Sequence, residues 1–147
     1  MRHRIGTARL GRKSKHREAM LANMIASLIE HGRIKTTLAK AKAAKPLAER
    51  LVTMAKKGTL HSRRVAVSRL QGKEKIVAKL FTEVAPKQAD RKGGYTRIIK
   101  IGPRNSDASE MAFLEFVEPA GVAASDIDPL KEIEKKSKTA PKSDDSK

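Results

Sequence analysis

The basic side chains of this sequence are its candidates for ligand binding, and they fall in four clusters. The first seventeen residues, MRHRIGTARLGRKSKHR, include seven Arg or Lys residues and no acidic residue. Arginine predominates there, and its planar fork suits bidentate contact with phosphate. The clusters are Arg2, His3, Arg4, Arg9, Arg12, Lys13, Lys15, His16 and Arg17; Arg33 and Lys35; Arg63, Arg64 and Arg69; and Arg91, Lys92, Arg97, Lys100 and Arg104. These side chains predict an anionic ligand rich in phosphate.

A glycine doublet and the single tyrosine of the chain lie within the fourth cluster. Gly93 and Gly94 lack a Cβ, so their backbone can approach a phosphate closely and donate its N–H groups. Tyr95 follows directly, and its ring has two alternative roles: stacking on an unpaired RNA base, or burial within a strand. Gly93, Gly94 and Tyr95 therefore join the basic residues as candidate RNA-binding residues.

The positive charge lies almost entirely in the first four-fifths of the chain. The 147 residues carry a formal net charge of +17. Residues 1–118 hold 27 basic and 10 acidic residues, whereas residues 119–147 hold six of each. Solubility alone needs a net charge of only about 2–8 for a small domain. The excess positive charges repel one another, which indicates a polyanionic partner that offsets this repulsion. Nucleic acid is the leading candidate for this partner, and an anionic membrane is the second.

The sequence contains no recognisable catalytic or metal-binding pattern. It has no cysteine, and no two of its four histidines stand three or four residues apart, so neither a disulfide nor a local metal site is expected. It has no P-loop and no dinucleotide-binding glycine motif. No apolar run approaches the ~20 residues of a membrane span, and the basic N-terminus lacks the apolar core of a secretory signal. We therefore expect a cytoplasmic protein that is not an enzyme and needs no cofactor, metal, membrane or small-molecule substrate.

The spacing of apolar residues predicts helices in the first two-thirds of the chain. Leu21, Met24, Ile25 and Leu28 form a helical stripe, which predicts a helix over 15–31 with Ser14 as its N-cap. The β-branched stretch 33–37 predicts a strand or an extended connector. The predicted later helices are 38–57 with a kink or break near 42–46 or a new start at Pro46, a short basic helix after Thr59, and 73–85 ended by Pro86.

Two strands are predicted near the end of the basic region. YTRIIKI at 95–101 and MAFLEFV at 111–117 are rich in β-branched or aromatic residues, and the loop between them suits an antiparallel pair. The order is helix, strand, three helices, two strands. This order predicts an α+β fold with a small sheet packed on helices.

The composition divides the chain into three segments. Residues 1–14 predict a basic arm that is disordered in isolation and orders against RNA. Residues 15–118 predict the globular domain. Residues 119–147 mix Pro, Ser, Ala and balanced charges, which predicts a flexible tail.

Several short motifs together resemble one known family. They are MRHR at 1–4, HR at 16–17, MLANM at 20–24, IKTT at 34–37, AKAK at 39–42, IVAKLF at 76–81, GGYTRI at 93–98 and AFLE at 112–115. In this order and spacing they resemble the bacterial large-subunit ribosomal protein seventeen family over residues 1–118. The chain departs from the family pattern at Ala39, where many members have proline, and by carrying Pro46 further along. The family pattern does not extend to residues 119–147.

The resemblance implies a structural component of the large ribosomal subunit that binds large-subunit rRNA beside neighbouring ribosomal proteins. It implies an α/β fold with a small mixed sheet, a position near the polypeptide exit, and no cofactor or catalysis. Carried over by position, residues 1–17 and the turn 93–97 would contact rRNA.

Two other functions remain open at the level of sequence. A nucleoid-type DNA-binding architectural protein would share the basic character, but its basic β-arm or intercalating wedge is not evident. A peripheral membrane protein would need a helix with bulky apolar residues opposite a basic flank. Residues 46–57 come nearest to such a helix, but their apolar face is rich in alanine.

Overall fold

The computed structural model describes residues 8–117, so the predictions for residues 1–7 and for the tail 119–147 lie outside the described residues. The first helix, α1 (Ser14–His31), confirms the predicted stripe, since Leu21, Ile25 and Leu28 are buried. It ends at Gly32, whose φ of 73° is in the left-handed region and whose N–H bonds the Leu28 carbonyl at 2.8 Å.

The predicted cap of α1 is wrong by one residue. Lys13 occupies the N-cap position and makes no side-chain capping bond. Ser14 is already helical, and its hydroxyl instead donates to Glu18 Oε1 at 3.0 Å. The Ser14 side chain thus bonds a residue one turn further along the helix and does not cap the free N–H groups at the helix start.

The second helix, α2 (Leu38–Lys57), runs through Pro46 as one element, so the predicted break at this proline is absent. A proline inside a helix removes one hydrogen bond and costs about 3 kcal/mol. Burial on both sides of it offsets this cost, since Ala41 and Ala44 precede it and Leu51 and Val52 follow it in the core. Pro46 itself faces solvent, where water can bond the carbonyl that it leaves without a partner.

The next helical run contains one stretch of wider turns. Helix α3 (Leu60–Arg69) begins as predicted, because the Thr59 side chain accepts from the Ser62 N–H at 3.1 Å. Helix α4 (Glu74–Lys79) continues into a π-helical turn (Leu80–Val84) and a last turn, α5 (Ala85–Lys87).

The prediction that Pro86 ends this helical run is wrong. In the π-helical turn the Ala85 N–H bonds Leu80, five residues back. Pro86 then lies in the first turn of α5, where an N–H is not needed. The run therefore continues to Lys87.

The three predicted strands form one sheet. They are β1 (Arg33–Thr37), β2 (Thr96–Pro103) and β3 (Glu110–Phe116), in the order β1-β3-β2. Both pairings are antiparallel, so the expectation of a mixed sheet is corrected for the described strands. Strands β1 and β2 do run in the same direction, but β3 lies between them and removes any parallel pair.

The α+β class and the predicted order of elements are confirmed. Helices α1 and α2 contact the sheet, and α3 and α4 pack behind them. The largest fully buried side chains join all these layers: Ile25, Leu28, Leu51, Val52, Leu70, Val77, Leu80 and Leu114. They are all aliphatic, in keeping with an aromatic content of only 3%. This core fixes the sheet with one face against helices and the other face outward.

Candidate nucleic-acid interface

The outward face of the sheet brings together basic residues that are far apart in sequence. Arg33 of β1 and Arg97 of β2 both stand opposite Glu115 of β3, in one row across three strands. The next row on this face places Lys35 and Ile99 on either side of Phe113. We call this surface the outer sheet face. Its basic side chains are exposed, whereas Ala112 and Leu114 on the opposite face are buried.

Glu115 holds both arginines of the outer sheet face. Its Oε2 lies 2.9 Å from Arg33 Nε, and its Oε1 pairs with Arg97 Nε. The Arg33 guanidinium also lies over the Phe113 ring, 3.9 Å from its centre. Glu115 is only 8% exposed, so its carboxylate lies beneath two arginines that reach solvent. The arrangement fixes two cationic forks side by side.

A second basic surface lines a groove between α2, α3 and the glycine turn. The groove is lined by Pro46, Glu49, Arg50, Thr53, Met54, Arg69, Gly93 and Tyr95. Lys92, Gly93 and Gly94 are exposed beside it, and Gly94 has a φ of 66°, which favours glycine. The groove combines arginine side chains with an accessible glycine backbone, which is the combination that phosphate contacts require.

Tyr95 takes the buried one of its two predicted roles. It is 3% exposed and belongs to the core. Lys56 Nζ lies 5.2 Å from its ring centre and also donates to the Arg91 carbonyl at 2.5 Å. The ring therefore supports the glycine turn from beneath, and base stacking on it would require the turn to open.

The start of α1 carries a third basic surface. Arg9, Lys13, Lys15 and His16 are exposed, and Arg12 and Arg17 are half-buried. Arg17 donates to Ser14 Oγ at 3.5 Å, and Arg12 donates to the Leu10 carbonyl at 3.1 Å. The described part of the chain provides none of these side chains with an ion-pair partner. We call residues 8–17 the N-terminal segment.

The N-terminal segment is attached to the body at one apolar side chain. Leu10 is partly buried and packs against the core. Ala8 lies beside the start of α2, near Lys42. The backbone that carries the basic side chains of the N-terminal segment is therefore in contact with the domain.

The remaining predicted residues lie apart from these surfaces. Arg63 and Arg64 are exposed on α3, with the Arg63 guanidinium 4.9 Å from the centre of the Phe81 ring. Arg104 forms two bonds to Asp107, at 2.9 Å and 2.6 Å. These bonds, with those from Ser109, hold the pKa of Asp107 well below its usual range, and the pKa of Arg104 is raised. The charge of Arg104 is therefore neutralised within its own loop.

Two residues that matter here were missed by the sequence analysis. Arg50 and Arg69 both line the groove, but the two lie on different helices with no common motif. Glu115 stands in an apolar strand, and a buried carboxylate needs cationic partners. That isolated acid was the available signal, although it could not identify the two arginines.

Among residues 8–117, no group of three or more His, Asp or Glu side chains could hold a metal ion. No helix in this part of the chain has both the length and the apolar character needed to cross a bilayer.

Comparison with known proteins gives one consistent result. The sequence model of ribosomal protein L17 matches residues 20–117. The large ribosomal subunit protein bL17 of Thermodesulfovibrio yellowstonii is 51% identical over 140 residues, which is 95% of this chain and 99% of that protein. The bL17 proteins of Methylacidiphilum infernorum and Magnetococcus marinus are 53% and 46% identical, over 80% and 86% of this chain and 89% and 100% of theirs. The resemblance seen in the short motifs is thereby confirmed, and the chain belongs to the ribosomal protein L17 family.

Proposed function

We propose that this protein is a structural constituent of the large ribosomal subunit that binds and stabilises folded large-subunit rRNA, and so supports translation. The observation that carries the proposal is the placement of the excess positive charge. It lies on several separate surfaces of one small domain rather than in one cleft. A folded RNA surrounds a small protein with phosphates on several sides, and such a ligand matches this distribution.

The proposed contacts are the predicted ones, with two changes. Tyr95 becomes a support beneath the glycine turn, and Arg50 joins Arg69 in the groove. The others are Arg2, His3, Arg4, Arg9, Arg12, Lys13, Lys15, His16, Arg17, Arg33, Lys35, Arg63, Arg64, Arg91, Lys92, Gly93, Gly94 and Arg97. Neighbouring ribosomal proteins are the other proposed partners, in the cytoplasmic ribosome, and no cofactor takes part.

The proposed mechanism is release of counterions together with a fit of shape. Each phosphate that a Lys or Arg neutralises releases condensed cations into solution. The logarithm of the affinity should therefore fall linearly with the logarithm of the salt concentration. Each phosphate contact should add roughly 0.7–0.9 to the steepness of that slope. A particle that engages many contacts at once should exchange the protein slowly.

The test is sedimentation of the tagged full-length protein from a bacterial lysate through a density gradient, before and after a high-salt wash. The expected result is migration with the large subunit that survives the wash. Recovery at the top of the gradient, or migration with DNA, would contradict the proposal. In the second case the DNA-binding function would replace it.

A further inference from the structure

We propose that the outer sheet face is a phosphate-binding site for an RNA strand, and that Glu115 is the positioning residue that sets its two arginines. The inference rests on the proposed function and adds a site to it. Arg33 and Arg97 would bind the phosphates. Glu115 would touch no RNA and would act through the arginines alone.

The first argument is the geometry of the row that these three residues form. Strands β1 and β2 lie on either side of β3, so the stems of Arg33 and Arg97 start about 10 Å apart. Both side chains nevertheless converge on the one carboxylate between them. Each approaches it with Nε, the nitrogen nearest its stem, so Nε rather than a terminal amino group makes the contact with the carboxylate in both pairs. The terminal amino groups of an arginine fork are the donors that bind phosphate in pairs.

The second argument is the burial of Glu115 compared with that of its partners. The Glu115 side chain is 10% exposed, against 42% for Arg33 and 57% for Arg97. The carboxylate lies underneath and the guanidiniums lie on top. A ligand approaching the sheet therefore meets two cations before it meets the anion.

The third argument is the immobilisation of Arg33. Its guanidinium is held by Glu115 and also stacks on Phe113. A free arginine loses rotamer entropy when it binds, whereas one that is already fixed loses less. Lys35 adds a third cation in the next row, so the face remains positive after Glu115 is counted. A face that stays positive fits an anionic strand, and the RNA of the proposed function is the occupant that we assign to it.

Replacement of Glu115 by Gln distinguishes a positioning role from simple electrostatics by the sign of the effect. Removing a negative charge beneath a phosphate site should strengthen RNA binding if charge alone matters. Loss of the shared anchor should weaken it, because both arginines become mobile. We expect E115Q to bind large-subunit rRNA about three- to tenfold more weakly than the wild-type chain, since charge-assisted contacts are lost.

The experiment is a binding titration of the full-length protein against bacterial large-subunit rRNA transcribed in vitro, across a salt series. R33Q and R97Q should each lower the salt slope by roughly 0.7–0.9. K75Q is the charge-matched control, since Lys75 is exposed on α4 and outside the three basic surfaces. Thermal melting of each variant checks its fold, and the exposed arginine variants keep the test valid if E115Q unfolds.

Three outcomes would overturn the inference. One is an E115Q variant that folds and binds as tightly as wild type or more tightly. Another is a pair of arginine variants with the wild-type salt slope. The third is loss of a neighbouring protein from the particle with unchanged RNA affinity, which would make this face a protein contact. Failure of the wild-type chain to bind rRNA would instead contradict the proposed function itself.

Discussion

The outer sheet face and the N-terminal segment are both basic, but they hold their charges in different ways. On the sheet, Arg33 and Arg97 share the Glu115 carboxylate, and Arg33 also stacks on Phe113. In the N-terminal segment, described residues offer no carboxylate within ion-pair distance of any basic side chain. Fixed charges specify where a phosphate must lie, whereas unpaired charges attract phosphate over a longer range. The two regions therefore represent a geometric and a diffuse way of binding the same polyanion.

The largest expected effect comes from deleting residues 2–13, which removes five Arg and Lys residues. We expect affinity for large-subunit rRNA to fall by roughly a hundredfold at moderate salt, and the salt slope to become shallower by about 4. The body should remain folded, because Leu10 is the one core-packed residue among the described residues 8–13. A salt series of binding titrations, with circular dichroism of the free protein, measures both quantities.

The matched control for the deletion is Leu10→Ala, which alters packing and leaves every charge in place. We expect it to lower the free energy of unfolding by about 1 kcal/mol, since the side chain is only partly buried. RNA affinity should stay within twofold of wild type. A deletion variant that is unfolded would show instead that the segment is part of the structural core.

The second expected effect compares the two regions directly through Arg→Lys replacements, which keep the charge and lose the fork. R33K combined with R97K should weaken RNA binding by about tenfold, because lysine cannot reproduce a fixed bidentate contact. R9K in the N-terminal segment should change the affinity by less than twofold. Equal effects in the two regions would remove the distinction between geometric and diffuse binding.

The third expected effect concerns the ring beneath Arg33. Phe113→Leu keeps an apolar side chain in β3 but removes the aromatic face. A double-mutant cycle of Arg33→Gln and Phe113→Leu in urea unfolding should give a coupling energy of about 0.5–1 kcal/mol, the usual size for a partly exposed cation–π contact. A coupling near zero would mean that Glu115 alone holds Arg33.

The smallest expected effect is in the loop between β2 and β3, where Arg104 is paired and unavailable to phosphate. The pKa of Asp107 is lower in the folded chain than in the unfolded one, because Arg104 and Ser109 donate to its carboxylate. Ionised Asp107 therefore stabilises the loop above about pH 4, and this contribution is lost as the pH falls further.

The amide resonance of Ser109, which bonds Asp107 Oδ1 at 3.2 Å, should report this change in an NMR titration from pH 6 to pH 2. The resonance should shift only at the acidic end in the wild type and should not titrate in Asp107→Asn. RNA affinity should rise slightly in Asp107→Asn, because Arg104 becomes available. Titration of the resonance near pH 4 would contradict the depressed pKa.

Most of the fold could be predicted because its determinants are local. The stripe of Leu21, Ile25 and Leu28 lies within α1 and Gly32 directly follows it, while Thr59 caps α3 through a residue three positions away. The errors at Pro46 and Pro86 arose from what surrounds each proline. At Pro46 the core buries both halves of α2, and at Pro86 a π-helical turn shifts the hydrogen bonds. Neither effect is visible in a local pattern.

The candidate site was predictable in composition but not in arrangement. The sequence clusters contained the right kinds of residue, but the fold combines residues from different clusters. Arg97 and Arg33 lie together on the outer sheet face, and Gly93 and Arg69 line the same groove. This regrouping depends on strand order and on helix packing, which bring together residues from different parts of the chain. The role of Glu115 follows from strand register, and no sequence spacing encodes it.

The strand order β1-β3-β2 also dictates when the outer sheet face can come into existence. The central strand is the last of the three along the chain, and Arg33 meets its carboxylate only across a separation of about eighty residues. During synthesis the helices can begin to pack through short-range contacts, while β1 waits for its neighbour. The paired arginines therefore cannot form until β3 has been synthesised, which ties this surface to completion of the described sheet.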